Sequence, residues 1–365
     1  EYAKESDENI LIFIQVTNRG DETAIIHLLP TLWFRNIWSW GYEVEKPQLK
    51  IYEQTENYSV IEAQHPDLGK RWLYCANAEK LLFTENNTNH QRLSCKENES
   101  PYVKDAFHQY VVEGKQDAVN PNNIATKFAA YYTLELAPGE TTGIQLRLCD
   151  QPDLDTPFGQ PFNDTFQVRQ QEADEFYRRV SPHQKSLELQ NIERQAFAGM
   201  LWNKQYYHYV VDTWLEGDPG QPKPPEERKN GTNSEWIHLH TDDVISMPDK
   251  WEYPYFAAWD LAFHMIPFAV IDPDFAKKQL ERLTREWYMH PNGQMPAYEW
   301  DFDGVNPPVH AWAVWRVYTI DQKTLEKLPG FKKRVEWFIN ERPQLSRNLA
   351  CMEGCDNDSR RLLAV

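Results

Sequence analysis

Aromatic rings alternate with acids twice in one part of this chain, and these residue types suit the recognition of a sugar. Asp260 and His264 follow a first group of rings: Trp251, Tyr253, Tyr255, Phe256 and Trp259. A second group mixes the rings Tyr298, Trp300 and Trp312 with the acids Glu299, Asp301 and Asp303. The apolar face of a pyranose stacks on indole or phenol rings, and ionised carboxylates accept hydrogen bonds from its hydroxyls. In a plainer interpretation the rings fill a helical core and the acids are solvated, although acids so interleaved with rings are difficult to bury without partners.

Three runs occur in this region in a fixed order: W-D-x-x-F-H from Trp259 to His264, G-Q-M-P-x-Y-E-W from Gly293 to Trp300, and N-P-P-V-H-A-W from Asn306 to Trp312. Together they resemble glycoside hydrolase family 63, the family of processing α-glucosidase I and its long bacterial relatives. The resemblance implies an (α/α)6 barrel preceded by a β-sandwich. It also implies hydrolysis of α-glucosidic bonds with inversion of configuration.

The resemblance implies roles for individual residues. Asp260 would accept hydroxyl hydrogen bonds in the innermost subsite, and the loop that carries Glu299 would line the same pocket. Inverting hydrolysis needs two carboxyl groups about 6.5–9.5 Å apart, and Asp260, Glu299, Asp301 and Asp303 are the candidates. We predict Asp260 and Glu299 as the catalytic residues. Substrate contacts are predicted for Trp259, His264, Gln294, Tyr298, Trp300, Asp301 and Trp312.

Each of these residues also has a structural interpretation. Asp260 follows Trp259 at the start of a helical run and could cap that helix. Glu299 could be a salt-bridged loop residue. His264 and His310 are more typical of packing histidines than of catalysts. Asp242 and Asp243, which are adjacent in the sequence, fit an exposed loop near the same site.

Composition excludes several classes of partner. The 365 residues carry a formal net charge of −17, which argues against nucleic acid and against an anionic membrane surface. Aromatic residues make up 13% of the chain and include 14 Trp, which agrees with carbohydrate recognition. We therefore expect a carbohydrate as the partner, without a cofactor, and the sequence sets no oligomeric state.

The cysteines indicate a reducing, cytoplasm-like compartment, as in a bacterial cytoplasm. The five cysteines are odd in number and scattered: Cys75, Cys95, Cys149, Cys351 and Cys355. Cys351 and Cys355 have no nearby His and make a poor zinc site, so no metal is predicted. The first residue is not Met, and the sequence contains six Asn-x-Ser/Thr triplets, so secretion stays an alternative. The triplets begin at Asn57, Asn86, Asn98, Asn163, Asn230 and Asn357.

Residues 1–150 have the short period of β-strands, with turn residues between the runs. ILIFIQVTN and TAIIHLLPTLWF are interpreted as an antiparallel pair, HQYVVEG as a further strand, and KFAAYYTLELAPGETTGIQLRLCD as two strands around Pro138 and Gly139. Because no amphipathic helices intervene, we predict an antiparallel β-sandwich domain over 1–150.

Residues 151–365 have the period of helices and form the predicted (α/α)6 glycosidase domain. A helix begins at Asp164 or Thr165, and the longest one runs from Ser186 to Leu215. The Pro- and Gly-rich segment 217–234 is a loop that is either functional or a surface insertion. Further helices are predicted over 260–270, 273–289, 308–318, 322–328 and 331–340, with Asp272 at an N-cap before Pro273.

Six or seven helices are about half of the twelve that a closed (α/α)6 toroid needs, so the toroid is predicted to be incomplete in this chain. In the family, the general acid and general base usually lie in stretches that have no matching motif here. Two alternatives to a hydrolase remain. One is a carbohydrate-binding or scaffold protein with half of a sugar pocket. The other is a glycoside phosphorylase, which would need a phosphate site that the sequence does not display.

Overall fold

The computed structural model describes residues 1–181, 186–231, 233–249, 251–252, 256–295, 297–298 and 306–325. The chain divides into two compact units, Glu1–Glu175 and Phe176–Val365. Among the described residues, most strands lie in the first unit and most of the long helices in the second. This confirms the predicted order of an antiparallel β-domain followed by a helical region.

The strands of the described residues are, in chain order, β1 (Tyr2–Ser6), β2 (Asn9–Thr17), β3 (Ala24–Leu28), β4 (Thr31–Trp33), β5 (Gln48–Gln54), β6 (Tyr58–His65), β7 (Gly69–Ala76), β8 (Lys80–Thr84), β9 (Ile124–Ala125), β10 (Lys127–Leu136), β11 (Thr141–Cys149), β12 (Lys204–Val210) and β13 (His240–Ser246). The α-helices are α1 (His90–Ser94), α2 (Ala106–Val112), α3 (Gln160–Val180), α4 (Leu187–Trp202), α5 (Val211–Glu216), α6 (Ala258–Ile271), α7 (Pro273–Arg282) and α8 (Val309–Leu325).

Two antiparallel sheets make up the first unit. One has the spatial order β1-β2-β11-β7-β6-β5-β9, and in the other β10 pairs with β3, β4 and β8. A single apolar cluster takes side chains from both sheets, including Leu49, Ile61 and Leu146 from the first and Phe83 and Phe128 from the second. The two sheets therefore pack face to face, as in a sandwich.

Strand β10 shows why this sequence forms a buried central strand. Successive side chains point to opposite faces of a sheet, and both faces of β10 are covered. Phe128 and Tyr132 point into the core between the sheets. Tyr131 packs on the other face against Phe107 and Tyr110 of α2. An apolar run is thus buried on both sides without alternation.

Two local predictions in this unit are wrong. The runs ILIFIQVTN and TAIIHLLPTLWF do not form the predicted antiparallel pair. The first lies in β2, which pairs with β1 and β11, whereas the second begins with β3, which belongs to the other sheet. The run HQYVVEG lies largely in α2 rather than in a strand. Its helical signal is the spacing of Phe107 and Tyr110, which places both rings on one buried face of the helix.

Helix α3 begins at Gln160, one turn before the predicted start at Asp164 or Thr165. Phe162, in its first turn, is buried against Ala3 and Leu11 of the first sheet. The first compact unit consequently extends beyond the last strand, β11, to Glu175.

The second unit is built around α6, which is apolar on most of its surface. Leu261, Met265 and Phe268 are fully buried in one cluster that also takes Leu280 from α7 and Val317 from α8. Side chains of α4 pack on the edge of this cluster. The predicted (α/α)6 toroid, incomplete in this chain, remains a prediction.

The predicted helix from Ser186 to Leu215 is correct only as far as Trp202. After Asn203, which caps α4, the chain forms strand β12, which pairs antiparallel with β13 from Lys204↔Ser246 to Val210↔His240. Tyr and Val favour a pleated strand once a partner is present. A short helix, α5, follows.

The helical pair α6 and α7 is as predicted at its connection. The Asp272 carboxylate accepts a hydrogen bond from the Phe275 amide at 3.1 Å, and Pro273 occupies the first helical position. Helix α7 ends at Arg282 rather than near Met289, and a 3-10 turn, Glu286–Tyr288, follows. Helix α8 continues to Leu325, so residues 322–325 of the helix predicted over 322–328 are instead part of α8. The rest of that helix and the helix predicted over 331–340 lie outside the described residues. No helix within the described ranges has the length and apolar character needed to cross a membrane.

Candidate active site

The candidate site begins at the first turn of α6. Ala257 is the N-cap residue and offers no side-chain hydrogen bond. Asp260 is the third residue of the helix, in its first turn, so the alternative that Asp260 is the N-cap is wrong. Its carboxylate interacts favourably with the positive end of the helix dipole, and no described residue gives it a hydrogen bond or an ion pair. It is half-buried and can accept hydrogen bonds from a ligand.

A short β-bridge brings the second predicted group to the start of α6. Ala257 pairs with Tyr298 in an isolated antiparallel bridge. The Ala258 amide donates to the Ala297 carbonyl at 2.9 Å. The chain positions before Trp259 and before Glu299 are therefore adjacent in space, although they are distant in sequence.

Three of the predicted site residues, Glu299, Trp300 and Asp301, lie outside the described residues. The expected approach of the Asp260 and Glu299 carboxyl groups stays a prediction, as does the convergence of Trp259, Asp260 and Gln294 with Glu299 and Trp300.

Three exposed rings lie side by side on α6 and α8. The ring centroids of Trp259 and Phe263 are 6.0 Å apart, and those of Phe263 and Trp312 are 5.7 Å apart. These side chains are 41%, 44% and 39% exposed, respectively. We call Trp259, Phe263 and Trp312 the aromatic strip. Large rings held at a surface by a rigid helix pair are suited to stacking on a ligand.

Phe263 was not among the predicted contact residues. It lies four residues after Trp259, which places the two rings side by side on one helix face. That spacing was the available signal in the sequence. Tyr298, which is 37% exposed, lies at the bridge to α6.

His264 lies one turn after Asp260 and is half-buried. Its Nδ1 is 2.8 Å from the Ser246 hydroxyl oxygen at the end of β13. Burial lowers the pKa of His264, and the nearby Asp260 carboxylate offsets part of this effect. The imidazole is consequently neutral at pH 7 and serves as a hydrogen-bonding group between α6 and β13.

His310, in the first turn of α8, is shut off from solvent at both ring nitrogens, and neither has a hydrogen-bond partner among the described residues. Burial lowers its pKa to about 4, and the nearby backbone of Leu280 offsets this in part. A neutral, enclosed imidazole fits the packing role that the sequence favours.

The loop before Tyr298 is held by its own backbone. The His290 amide donates to the Gln294 carbonyl at 2.9 Å, and the Gly293 amide donates to the His290 carbonyl at 2.8 Å. Gly293 has a φ of 84°, in the left-handed region that glycine adopts without strain. Gln294 is therefore fixed in a tight turn, half-buried, at the approach to the bridge.

Asp242 and Asp243 lie in β13 and not in a loop. Asp243 forms an ion pair with Arg282 at 2.9 Å and accepts a hydrogen bond from the Tyr288 hydroxyl at 2.9 Å. The Tyr206 hydroxyl donates to Asp242. Both acids therefore hold the β12–β13 pair in place.

The two segments that carry the candidate site residues contain neither Lys nor Arg. Neither 251–276 nor 286–315 includes a Lys or an Arg, and the second contains Glu299, Asp301 and Asp303. The described residues include no group of three or more His, Cys, Asp or Glu side chains placed to hold a metal. At neutral pH the two segments therefore carry a net negative charge.

Residues 253–356, which include this site, match the family model of the mannosylglycerate hydrolase MGH1-like glycoside hydrolase domain. The match supports a relationship to glycoside hydrolases of the family 63 type. The chain is also 40% identical over 380 residues to the uncharacterized protein YMR196W of Saccharomyces cerevisiae, a match that covers 92% of this chain and 35% of the yeast protein. The chain spans about a third of the length of this curated relative.

Proposed function

We propose that this chain forms part of a glycoside hydrolase that cleaves α-glucosidic bonds in an uncharged oligosaccharide or small glucoside, with inversion of configuration. The observation that carries the proposal is the coincidence of the family match with the site. The matched segment contains Asp260, whose carboxylate is uncommitted among the described residues, beside a strip of exposed rings.

The proposed binding mode follows from the chemistry of the two surfaces. The aromatic strip receives the C–H face of a sugar ring. Asp260 accepts hydrogen bonds from two hydroxyls of that sugar, since an ionised carboxylate has several acceptor positions. Hydrogen bonds to a charged group contribute more to binding than neutral ones do.

Inverting hydrolysis requires a protonated carboxyl group at the leaving oxygen and a carboxylate that activates water on the opposite face. We propose Asp260 and Glu299 as the acids of this chain that face the bond. The resemblance to family 63 favours Asp260 as a ligand of sugar hydroxyls, so Asp260→Asn separates binding from proton transfer by its effects on KM and kcat.

The charge of the site bears on the substrate class. The family model is named for hydrolysis of mannosylglycerate, whose glycerate group carries a carboxylate. An anionic group beside Asp260 and Glu299 would be repelled in a site whose two segments supply no Lys or Arg. A neutral glucoside avoids this cost, which favours an α-glucosidase-like activity.

The experiment is a comparison of α-linked glucobioses with mannosylglycerate, at low and high salt, with released sugar measured by NMR. We expect faster cleavage of a neutral glucobiose, with its non-reducing glucose released as β-glucose, while the leaving glucose keeps the anomeric mixture of the substrate's reducing end. An initial excess of α-glucose over the share that this reducing end supplies would exclude inversion. A preference for mannosylglycerate would contradict the proposed substrate class.

The same experiment tests a second hypothesis, that the protein binds carbohydrate without cleaving it. Binding of a glucobiose by NMR, without release of glucose at long incubation, would favour a binding protein with the same aromatic strip.

A further inference from the structure

We propose that Trp236 and His238 are positioning residues for the loop 289–298, and that they set the affinity of the proposed sugar site through this loop. The effect on sugar affinity rests on the proposed function. The anchoring of the loop is a separate property of the fold and can be measured without a sugar.

Both side chains act on the carbonyl of Met289. The Trp236 Nε1 donates to it at 3.0 Å, and the His238 Nε2 lies 3.0 Å from it and 3.1 Å from the Glu286 carbonyl. Because carbonyls only accept hydrogen bonds, the Nε2 of His238 must carry a proton. We call these contacts the Met289 clamp.

The clamp rests on a rigid base. Trp236 is fully buried in a cluster with Val211, Leu215 and Leu239. Its ring meets the His290 ring edge to face, with centroids 6.3 Å apart. The indole is thus fixed by packing before it donates to Met289, as a preorganised donor should be.

The preceding segment, 217–234, is also held by contacts. The Arg228 guanidinium lies 4.5 Å from the Trp214 ring centroid and donates to the Trp214 carbonyl at 3.1 Å. Lys229 pairs with Glu216 at 3.3 Å. These contacts fix the segment to α5 ahead of the clamp and leave both sequence interpretations, a functional loop or a surface insertion, as predictions.

The clamp matters for the site because it holds the end of the loop that leads to Gln294 and Tyr298. Downstream of Met289, Asn306 donates to the Met295 carbonyl at 2.5 Å, and Ala297 accepts from Ala258. Between these points the His290 amide donates to the Gln294 carbonyl, and the His290 ring packs on Trp236. A loop held at both ends keeps Gln294 and Tyr298 in one arrangement, and release of one end adds conformations that sugar binding must then exclude.

The test uses the full chain with three variants. His238→Ala removes one donor, and His238→Gln replaces it with an amide whose Nε2 has similar reach. His240→Ala is the matched control, because His240 is an exposed histidine two residues later with no described side-chain hydrogen bond. Hydrogen exchange of peptides over 289–298 reports the anchoring, and titration with a neutral glucobiose reports affinity.

We expect His238→Ala to speed amide exchange across 289–298 and to weaken glucobiose binding about five-fold, the effect of losing one hydrogen bond. His238→Gln should restore both values, and His240→Ala should change neither. Restoration by Gln distinguishes positioning from a general loss of stability, which thermal unfolding of the same variants measures.

Unchanged exchange in His238→Ala would overturn the anchoring. Faster exchange with unchanged affinity would overturn the link to the sugar site. If the wild-type protein binds no glycoside, the proposed function and this link both fail, while faster exchange in His238→Ala would still establish the clamp.

Discussion

At the scale of single residues, the carboxylate of Asp260 is the group whose removal should separate binding from folding. We expect Asp260→Asn to weaken binding of a neutral glucobiose by about ten-fold or more, because hydrogen bonds to a charged group contribute about 1.5–3 kcal/mol. Calorimetric titration measures the change.

Asp274→Asn is the control for this variant. Asp274 is also an acid in the first turn of a helix, α7, but it is exposed and pairs with Lys277. Both substitutions remove a favourable interaction with a helix dipole. Equal losses of affinity in the two variants would contradict a specific role for Asp260.

His310 predicts a dependence of stability on pH. Burial lowers its pKa to about 4, whereas an unfolded imidazole has a pKa of about 6.5. As the pH falls below about 6.5, the imidazole binds a proton in the unfolded chain but stays neutral in the folded protein. The free energy of unfolding therefore decreases until the pH reaches about 4. Between pH 7 and 5 the wild-type protein should lose about 2 kcal/mol more than His310→Leu.

Denaturant unfolding at the two pH values checks this expectation. The lowered pKa of His264 acts in the same direction but is present in both proteins. His240→Leu, at an exposed site, should behave as the wild type does. An identical pH dependence in His310→Leu and the wild type would show that the buried imidazole is not the cause.

At the scale of elements, the sequence predicted best where a local signal was complete. Asp272 and Pro273 mark the start of α7 through capping chemistry that involves neighbouring residues only. The break between β10 and β11 is found at Pro138 and Gly139 as predicted, because these turn residues mark it locally, although the two strands pair with β3 and β2 in different sheets.

Elements that depend on distant partners were predicted less well. Strand β12 continues the chain directly from α4, and its run of Tyr and Val fits a helix end or a strand. Its partner, β13, lies beyond α5 and the loop 217–234, so the choice is made by pairing across the fold. The sequence predicts a strand where α2 lies for the same reason, since the buried face of α2 packs against β10.

Asp243 provides a test of how the β12–β13 pair is attached to α7. Burial and the Asp243 carboxylate raise the pKa of Tyr288, so its phenol keeps its proton and donates to Asp243. Asp243→Ala would leave that buried hydroxyl without its acceptor and break the pair with Arg282. We expect a loss of about 2 kcal/mol in the free energy of unfolding, measured with urea.

Asp242→Ala is the neighbouring comparison. Asp242 bonds to Tyr206, which is 61% exposed, so its loss should cost less than about 0.5 kcal/mol. A larger effect at Asp242 than at Asp243 would show that β13 is held from its other face.

At the scale of the whole molecule, the first unit should be more stable when the start of α3 is included. Phe162 is 1% exposed and covers Ala3 and Leu11. A polypeptide of residues 1–175 should therefore unfold cooperatively and at a higher temperature than one of residues 1–150, since loss of a buried Phe side chain costs about 3–5 kcal/mol. Circular dichroism melting measures both, and equal midpoints would show that α3 does not stabilise the β-domain.

In the candidate site, as in the fold, the sequence indicates some features, and others depend on how the chain folds. Motif order in the sequence indicated that Trp259, Asp260 and Tyr298 belong together, and the bridge at Ala257 places the Tyr298 backbone beside the start of α6. Phe263 and the Met289 clamp were not predicted, because a ring pair and a shared carbonyl depend on helix faces and chain folding. The Glu299 contribution still awaits its test.

The lack of Lys and Arg in both site segments also determines how trypsin divides the molecule. Cleavage after basic residues leaves 251–277 and 286–316 as single peptides. The first carries Trp259 and Asp260, and the second carries Tyr298, Glu299 and Trp312. A photoreactive glucoside that crosslinks to the site would therefore label one of two long peptides, and mass spectrometry of the digest would assign the contact to α6 or to the loop and α8 without any mutation.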